Sequence, residues 1–140
     1  MQTRSMHEIV RNQRPLTLPP SATVKKACEA MHARRVGAVL VVERDDRLIG
    51  IFTGRDAVRL LAEGLDAAHT RLDAVMTREP VTIAPEQNAI EALRLLGDCG
   101  FRHLPVVKDG RVAGIVSRYD FRAMEHARMD EETGYFEVLR

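Results

Sequence analysis

The chain has 140 residues, 45% hydrophobic and 29% charged, a composition that suits a soluble globular chain with apolar material for one compact core or two small interlocked ones. Its 21 Lys and Arg against 20 Asp and Glu leave a net charge of +1, which provides no broad field for gathering nucleic acid or an anionic membrane, so any anion site must be local. The first ten residues mix Arg4, His7 and Glu8 without an apolar core, and no later stretch has the length of a membrane span. The expectation is a cytoplasmic protein that meets neither nucleic acid nor membrane.

In chain order, Leu16 to Leu18 reads as a short extended piece ahead of a proline-marked turn. Val24, Ala27, Cys28 and Met31 recur at the i, i+3, i+4, i+7 spacing of one helix face, with Ser21 or Thr23 as N-cap. Two β-rich runs follow, Ala38 to Val42 and Leu48 to Phe52, joined by the charged stretch Glu43 to Arg47. A second helix is expected from near Asp56 through Val58, Leu60 and Leu61, ended by Gly64 just past its C-cap. Leu65 to Glu79 reads as a linker. The order then recurs. Val81 to Ile83 is extended, and Ala89, Ala92, Leu93 and Leu96 mark a helix capped by Asn88. Leu104 to Val107 and Val112 to Val116 flank the hairpin signal Asp109-Gly110. A last helix is expected from near Asp120 through Phe121 and Met124.

Superposing the chain on itself makes the recurrence explicit. GIFTGRD, Gly50 to Asp56, falls on GIVSRYD, Gly114 to Asp120, at an offset of 64 residues, and upstream the offset is 65, setting Pro20 on Pro85 and AVLVV on HLPVV. The one-residue difference falls inside the hairpin loop, where an insertion is easily absorbed. A unit of about 60 residues buries only about 60% of its unfolded surface and is marginal alone, so the two units are expected to pack together. The fold class is α/β, with two repeats of strand-helix-strand-strand-helix.

The second copy, RHLPVVKDGRVAGIVSRYD (Arg102 to Asp120), resembles the signature of the cystathionine-β-synthase (CBS) domain almost position for position; GAVLVVERDDRLIGIFTGRD is similar but weaker, and VMTREPVTIAP resembles the usual entry into a second repeat. The resemblance implies a Bateman module: a first CBS repeat over 9–64, a linker over 65–79, a second repeat over 80–126 and a tail over 127–140, packed as a pseudo-two-fold pair. It also implies a regulatory, non-catalytic module that dimerises and acts on another protein. An adenosine-containing ligand (AMP, ADP, ATP or S-adenosylmethionine) would bind in the cleft between the repeats.

Thr53-x-x-Asp56 and Ser117-x-x-Asp120 each stand between a strand and a helical pattern. They fit a capping box and equally an anion site at a helix start, with Asp56 and Asp120 accepting ribose hydroxyls and Thr53 and Ser117 bonding ribose or phosphate. Gly50 and Gly114, ahead of them, fit a turn, a bulge or close approach by a ligand. By the resemblance, adenine lies against Thr17, Leu18, Ala38 and Val39 in one site and against Thr82, Ile83, His103, Leu104 and Pro105 in the other, with Phe52 and Val116 as further ligand-binding candidates. Arg55 and Arg118 are candidates for phosphate. Arg102 and His103 suit phosphate where the first copy has Gly37 and Ala38, so the second site is expected to dominate.

The five histidines show no metal-ligand spacing, and there is no Walker loop, G-x-G-x-x-G or G-x-S-x-G, so neither a metal nor an enzyme is expected. Asp45-Asp46 and Asp130 to Glu132 read as solvated charge, and Cys28 and Cys99 as small buried residues. Met124, Met129, Tyr135 and Phe136 are expected to cover a second subunit or a partner. The competing reading is a dimerising scaffold whose motifs only cap helices.

Overall fold

The computed structural model describes residues 3–98 and 101–133; Cys99, Tyr135 and Phe136 lie outside them. The elements in chain order are α1 (Met6–Val10), β1 (Thr17–Leu18), α2 (Val24–Arg34), β2 (Ala38–Val42), β3 (Leu48–Thr53), α3 (Gly54–Ala62), α4 (Leu72–Val75), β4 (Thr77–Arg78), α5 (Ala89–Asp98), β5 (His103–Lys108), β6 (Arg111–Ser117) and α6 (Ala123–Thr133). They form two compact units. The first is Arg14–Pro80 with the hairpin tip Asp109–Val112; the second is Met1–Gln13, Val81–Lys108 and Ala113–Arg140.

The first unit carries a four-stranded sheet in the order β1-β2-β3-β4. β1 is parallel to β2 (Thr17 opposite Leu40), and β2 is antiparallel to β3, from Ala38 opposite Thr53 to Val42 opposite Leu48. The loop between β2 and β3 is a 3-10 turn over Arg44–Asp46 with Asp45 and Asp46 at φ 60° and 59°, a left-handed excursion that Asp tolerates. Thr23 caps α2 by accepting from Lys26 N at 3.1 Å. α3 ends in a Schellman motif, with Gly64 at φ +79° and Leu65 N donating to Leu60 O at 3.0 Å, as Gly in the left-handed region allows. Val24, Ala27, Met31, Val39, Val41, Phe52, Leu60 and Leu72 form the core between helices and sheet. Phe52 and Leu72 are fully buried, and each contributes about 1.5–3 kcal/mol by leaving water.

The second unit is built on the two-stranded sheet of β5 and β6. Both turn residues of the hairpin are left-handed, Asp109 at φ 52° and Gly110 at φ 80°, the type I′ geometry expected of Asp-Gly. Ile83 joins β5 by a single parallel bridge to Val106, its N–H donating to Pro105 O at 3.0 Å and its carbonyl accepting Val107 N at 2.9 Å. The extended piece expected over Val81 to Ile83 is therefore one bridge and not a strand. The core gathers Met6, Val10, Ile83, Ala92, Leu93, Leu96, Leu104, Val106 and Val116.

The helix expected from near Asp120 starts later. Ser117 leads into one 3-10 turn, Arg118–Asp120, the chain extends at Phe121 (φ −105°, ψ 146°), and α6 begins at Ala123. There Glu125 Oε1 accepts Arg122 N at 2.8 Å, so a second N-terminal cap five residues beyond the Ser117 box sets the helix start.

The segment preceding each repeat in sequence packs with the other. Ser5 Oγ accepts Glu8 N at 3.3 Å, making α1 from what reads as a polar stretch. Met6 N and His7 N donate to Gln87 O and Pro85 O at 2.8 and 2.9 Å, and Ala89 N to Arg4 O at 2.9 Å. In the first unit Leu72 N and Asp73 N donate to Ala22 O and Pro20 O at 2.8 and 3.1 Å, and Val24 N to Thr70 O at 2.8 Å. The two sets correspond bond for bond.

Candidate functional site

Side-chain alternation divides the candidate residues between the two faces of each sheet. In the first unit Leu18, Val39 and Phe52 point into the helix-packed core, so Thr17, Ala38 and Thr53 share the opposite face; Ala38 is paired directly with Thr53. In the second unit Ile83, Leu104 and Val116 belong to the core, which puts Thr82, His103, Pro105 and Ser117 on the face turned away from it. Thr17 corresponds to Thr82, Ala38 to His103 and Thr53 to Ser117. Each unit thus places its own half-buried hydroxyl at the end of the sheet face turned away from its core, with a carboxylate three residues on.

The two carboxylates are held differently. Thr53 Oγ1 accepts Asp56 N at 3.3 Å while Asp56 Oδ2 accepts Thr53 N at 2.9 Å, a capping box that opens directly into α3. Asp56 Oδ1 lies 3.6 Å from Arg59 of the same helix. In the second unit Asp120 Oδ2 accepts Ser117 N at 2.6 Å and Ser117 Oγ at 3.4 Å. Capping occupies one oxygen of each carboxylate. The other is partly neutralised by Arg59 in the first unit, whereas Asp120 is exposed on a short turn. Arg55, Arg102 and Arg118 are exposed as well.

His103 stands beside this turn. Its Nδ1 is buried and has no hydrogen-bond partner, and burial holds its pKa below the usual imidazole value, with Asp120 opposing and Arg102 reinforcing that shift. The ring is therefore neutral near pH 7 and offers a hydrogen bond, not a charge. A buried polar atom left unpaired costs about 1–3 kcal/mol, so a partner for Nδ1 would be favoured.

Thr17 and Leu18 also border a cavity of about 680 Å³ at the hairpin end of the first unit, together with Arg44, Asp45 and Arg47. Thr53 and Asp56 lie at the other end of β3. Because Thr17 is opposite Leu40, it stands two residues, about 7 Å, along the sheet from the Ala38 and Thr53 pair.

Gly50 adjoins a bulge, the ladder stepping from Val41 opposite Gly50 to Val42 opposite Leu48, and both glycines also make room for close packing. A Cβ on Gly114 would fall 2.5 Å from Val10 Cβ and 2.8 Å from Gln13 Oε1, and one on Gly50 would fall 2.5 Å from Met76 Sδ and 3.0 Å from Thr77 O. The segments that lead into the two repeats, Met76–Thr77 for Gly50 and Val10–Gln13 for Gly114, occupy that space. Three further residues bear on the second unit's site and carry no sequence signal. Gln13 Nε2 donates to Ile115 O at 2.7 Å and its Oε1 accepts Ile115 N at 2.6 Å, and Arg4 pairs with Glu125 at 2.5 Å. Their partners lie more than 100 residues away. Among the described residues, no group of His, Cys, Asp and Glu could hold a metal ion, and no helix is long and apolar enough to cross a membrane.

A family model describing the CBS domain matches the chain twice, over residues 7–63 and 72–126. The CBS domain-containing protein CBSCBSPB2 of Arabidopsis thaliana is 44% identical over 108 residues, 76% of this chain but 20% of that protein; the chain spans about a fifth of the length of the relatives it matches first. Among solved structures, the CBS domain protein PAE2072 from Pyrobaculum aerophilum, complexed with AMP, has a TM-score of 0.82 at 23% identity and covers 91% of this chain and 98% of its own. The CBS domain pair of protein MJ0100, in complex with 5′-methylthioadenosine and S-adenosyl-L-methionine, has a TM-score of 0.79 at 20% identity and covers 91% and 99%. At those identities the likeness is one of fold. With the family pattern matched in both halves and the same mixed α/β fold in those solved structures, the chain belongs to the CBS-domain family and carries two copies of that domain.

Proposed function

We propose that the chain is a regulatory module that senses an adenosine-containing ligand, AMP, ADP, ATP or S-adenosylmethionine, and acts on a partner protein without catalysing a reaction itself. The observation that carries this is the duplicated hydroxyl and carboxylate at the end of the same sheet face in each unit, Thr53 with Asp56 and Ser117 with Asp120. Two neighbours in fold, complexed with AMP and with S-adenosylmethionine and methylthioadenosine, support the ligand class. In this reading the carboxylate oxygen not used in capping accepts the ribose hydroxyls. Ala38 on β2 in one repeat and Pro105 on β5 in the other form apolar walls for the base, while Thr17, Thr82, Arg55, Arg102 and Arg118 reach ribose or phosphate. Leu18, Val39, Phe52, Ile83, Leu104 and Val116 shape the sites from the core.

The two sites are unequal. The second has the freer carboxylate, two arginines and the unpaired Nδ1 of His103, which an adenine nitrogen or a phosphate oxygen would satisfy. Cytoplasmic placement and a homodimer complete the proposal. A groove of about 190 Å³ between α2 and α3, where Leu61 is 79% exposed, is apolar surface that a second subunit would cover. Calorimetric titration with AMP, ADP, ATP and S-adenosylmethionine tests the ligand class. A ligand at 100 times its dissociation constant stabilises the fold by about 2.7 kcal/mol; absence of both heat and melting shift with all four would leave the scaffold reading in its place.

A further inference from the structure

We propose that Arg4, in the segment that precedes the first repeat, is a positioning residue for the second repeat's site, where it holds the turn that carries Asp120. The inference rests on the adenosine-ligand reading of that site. Arg4 Nε donates to Glu125 Oε2 at 3.0 Å, and its Nη2 donates to Glu125 Oε1 at 2.5 Å and to the Asp120 carbonyl at 3.3 Å. One guanidinium thus grips both sides of the break at Phe121, the Asp120 turn before it and the start of α6 after it. Glu125 is 7% exposed and is the one buried charged residue among the described residues. Such a group stays ionised in place only with its partner beside it.

The first repeat has no such clamp and does not need one. There Asp56 is an integral part of the first turn of the nine-residue α3, whose own hydrogen bonds fix the carboxylate. At the place of Arg4, Thr70 repeats the backbone bond, while its side chain turns to Asp66 O at 2.7 Å. At the offset of 64 that aligns the two motifs, Leu61 stands where the second repeat has Glu125, and it is 79% exposed. The second repeat lacks a helix immediately behind its Asp, and Arg4 supplies the anchoring from a distant part of the chain. Occupancy of the second site is thereby tied to the order of the leading segment. Arg128, which donates to Thr3 Oγ1 at 2.7 Å, adds a second tether from α6 to the same segment.

The test uses the full chain with Arg4→Ala, Arg4→Lys and Glu125→Gln, amide exchange read by NMR, and AMP as the probe. Arg4→Ala is expected to speed exchange at Ser117 and Arg122 on the order of tenfold, the effect of losing charge-assisted bonds, and to leave Thr53 unchanged. Arg4→Lys recovers part of the protection, as a point charge without the planar fork. AMP affinity at the second site falls by about the same factor, with the first site unaffected. Unchanged exchange at Ser117, or equal acceleration at Ser117 and Thr53, overturns the proposal. If Arg4→Ala does not fold, Arg4→Lys and Glu125→Gln carry the same comparison. The exchange arm needs no ligand, so failure of AMP to bind the unaltered chain refutes the adenosine reading separately from the anchoring.

Discussion

Gly114→Ala is a sharp test of how the leading segment packs on the second repeat. The added methyl would sit 2.5 Å from Val10 Cβ and 2.7 Å from its Cγ1, against a stiff β-branched residue that is 5% exposed. So close a clash with a stiff neighbour puts the overpacking cost at the upper end of about 1–3 kcal/mol, and the less flexible unfolded chain offsets about 0.4–1 kcal/mol of it, for a net loss of about 2 kcal/mol. For a chain of this length that lowers the melting temperature by roughly 6 °C. Val10→Ala alone removes two buried methyl groups, about 2 kcal/mol with the cavity it leaves. Val10→Ala removes the Cγ1 contact but keeps the Cβ that lies 2.5 Å from the new methyl, so the double variant is expected to recover only part of the loss, about 1 kcal/mol short of the additive 4 or so. Denaturant unfolding of all four proteins closes the cycle. Additive losses, or a Gly114→Ala variant as stable as the parent, would refute the contact. Gly50→Ala is expected to cost less, about 1 kcal/mol, since the flexible thioether of Met76 can swing aside.

Gln13→Ala strips Ile115 of both backbone partners in the second unit and is expected to cost about 2 kcal/mol, measured as a shift in denaturation midpoint, whereas Gln13→Glu keeps only the acceptor's place and leaves a carboxylate facing Ile115 O. His103 has a folded pKa below its unfolded value, so its contribution to stability is present above about pH 6.5 and is lost as pH falls through the folded value. Melting temperature against pH should therefore decline on acidification from that point, and His103→Gln should remove the decline; a rise on acidification would contradict the burial argument. Glu125, depressed chiefly by its hydrogen bond to Arg4, adds a second loss below about pH 4.5 by the same sign, which Arg4→Ala should abolish. Cys28, whose thiol burial pushes up, should react with a thiol reagent more slowly at pH 8 than free cysteine.

Most of each repeat could be read in the sequence because its signals are local. The helical spacing of Val24 to Met31, the alternating β runs and the Asp109-Gly110 turn depend on neighbours a few residues away. The hydroxyl-x-x-acid motif is equally local, which made both carboxylates visible. What the sequence did not disclose depends on distant partners. α1 has one turn and two buried residues, Met6 and Val10, whose contacts lie in the second repeat. Gln13 takes the place in the second unit that β4 holds in the first, pairing with Ile115 as Thr77 pairs with Ile51, and no pattern in a single glutamine announces that. The late start of α6 had the same origin. Ser117-x-x-Asp120 reads like Thr53-x-x-Asp56, yet the helix begins where Glu125, held by Arg4 from across the chain, caps it.

The central claim is that the two carboxylates bind the ribose of an adenosine ligand, the second more strongly than the first. Calorimetric titration of AMP into the unaltered chain, Asp56→Ala, Asp120→Ala and the double variant tests it directly, with melting temperatures recorded alongside. The account predicts a larger loss of affinity for Asp120→Ala than for Asp56→Ala and no measurable binding in the double variant, with each cap costing about 1 kcal/mol of stability. Equal losses would contradict the asymmetry. AMP affinity undiminished in the double variant would contradict the claim itself.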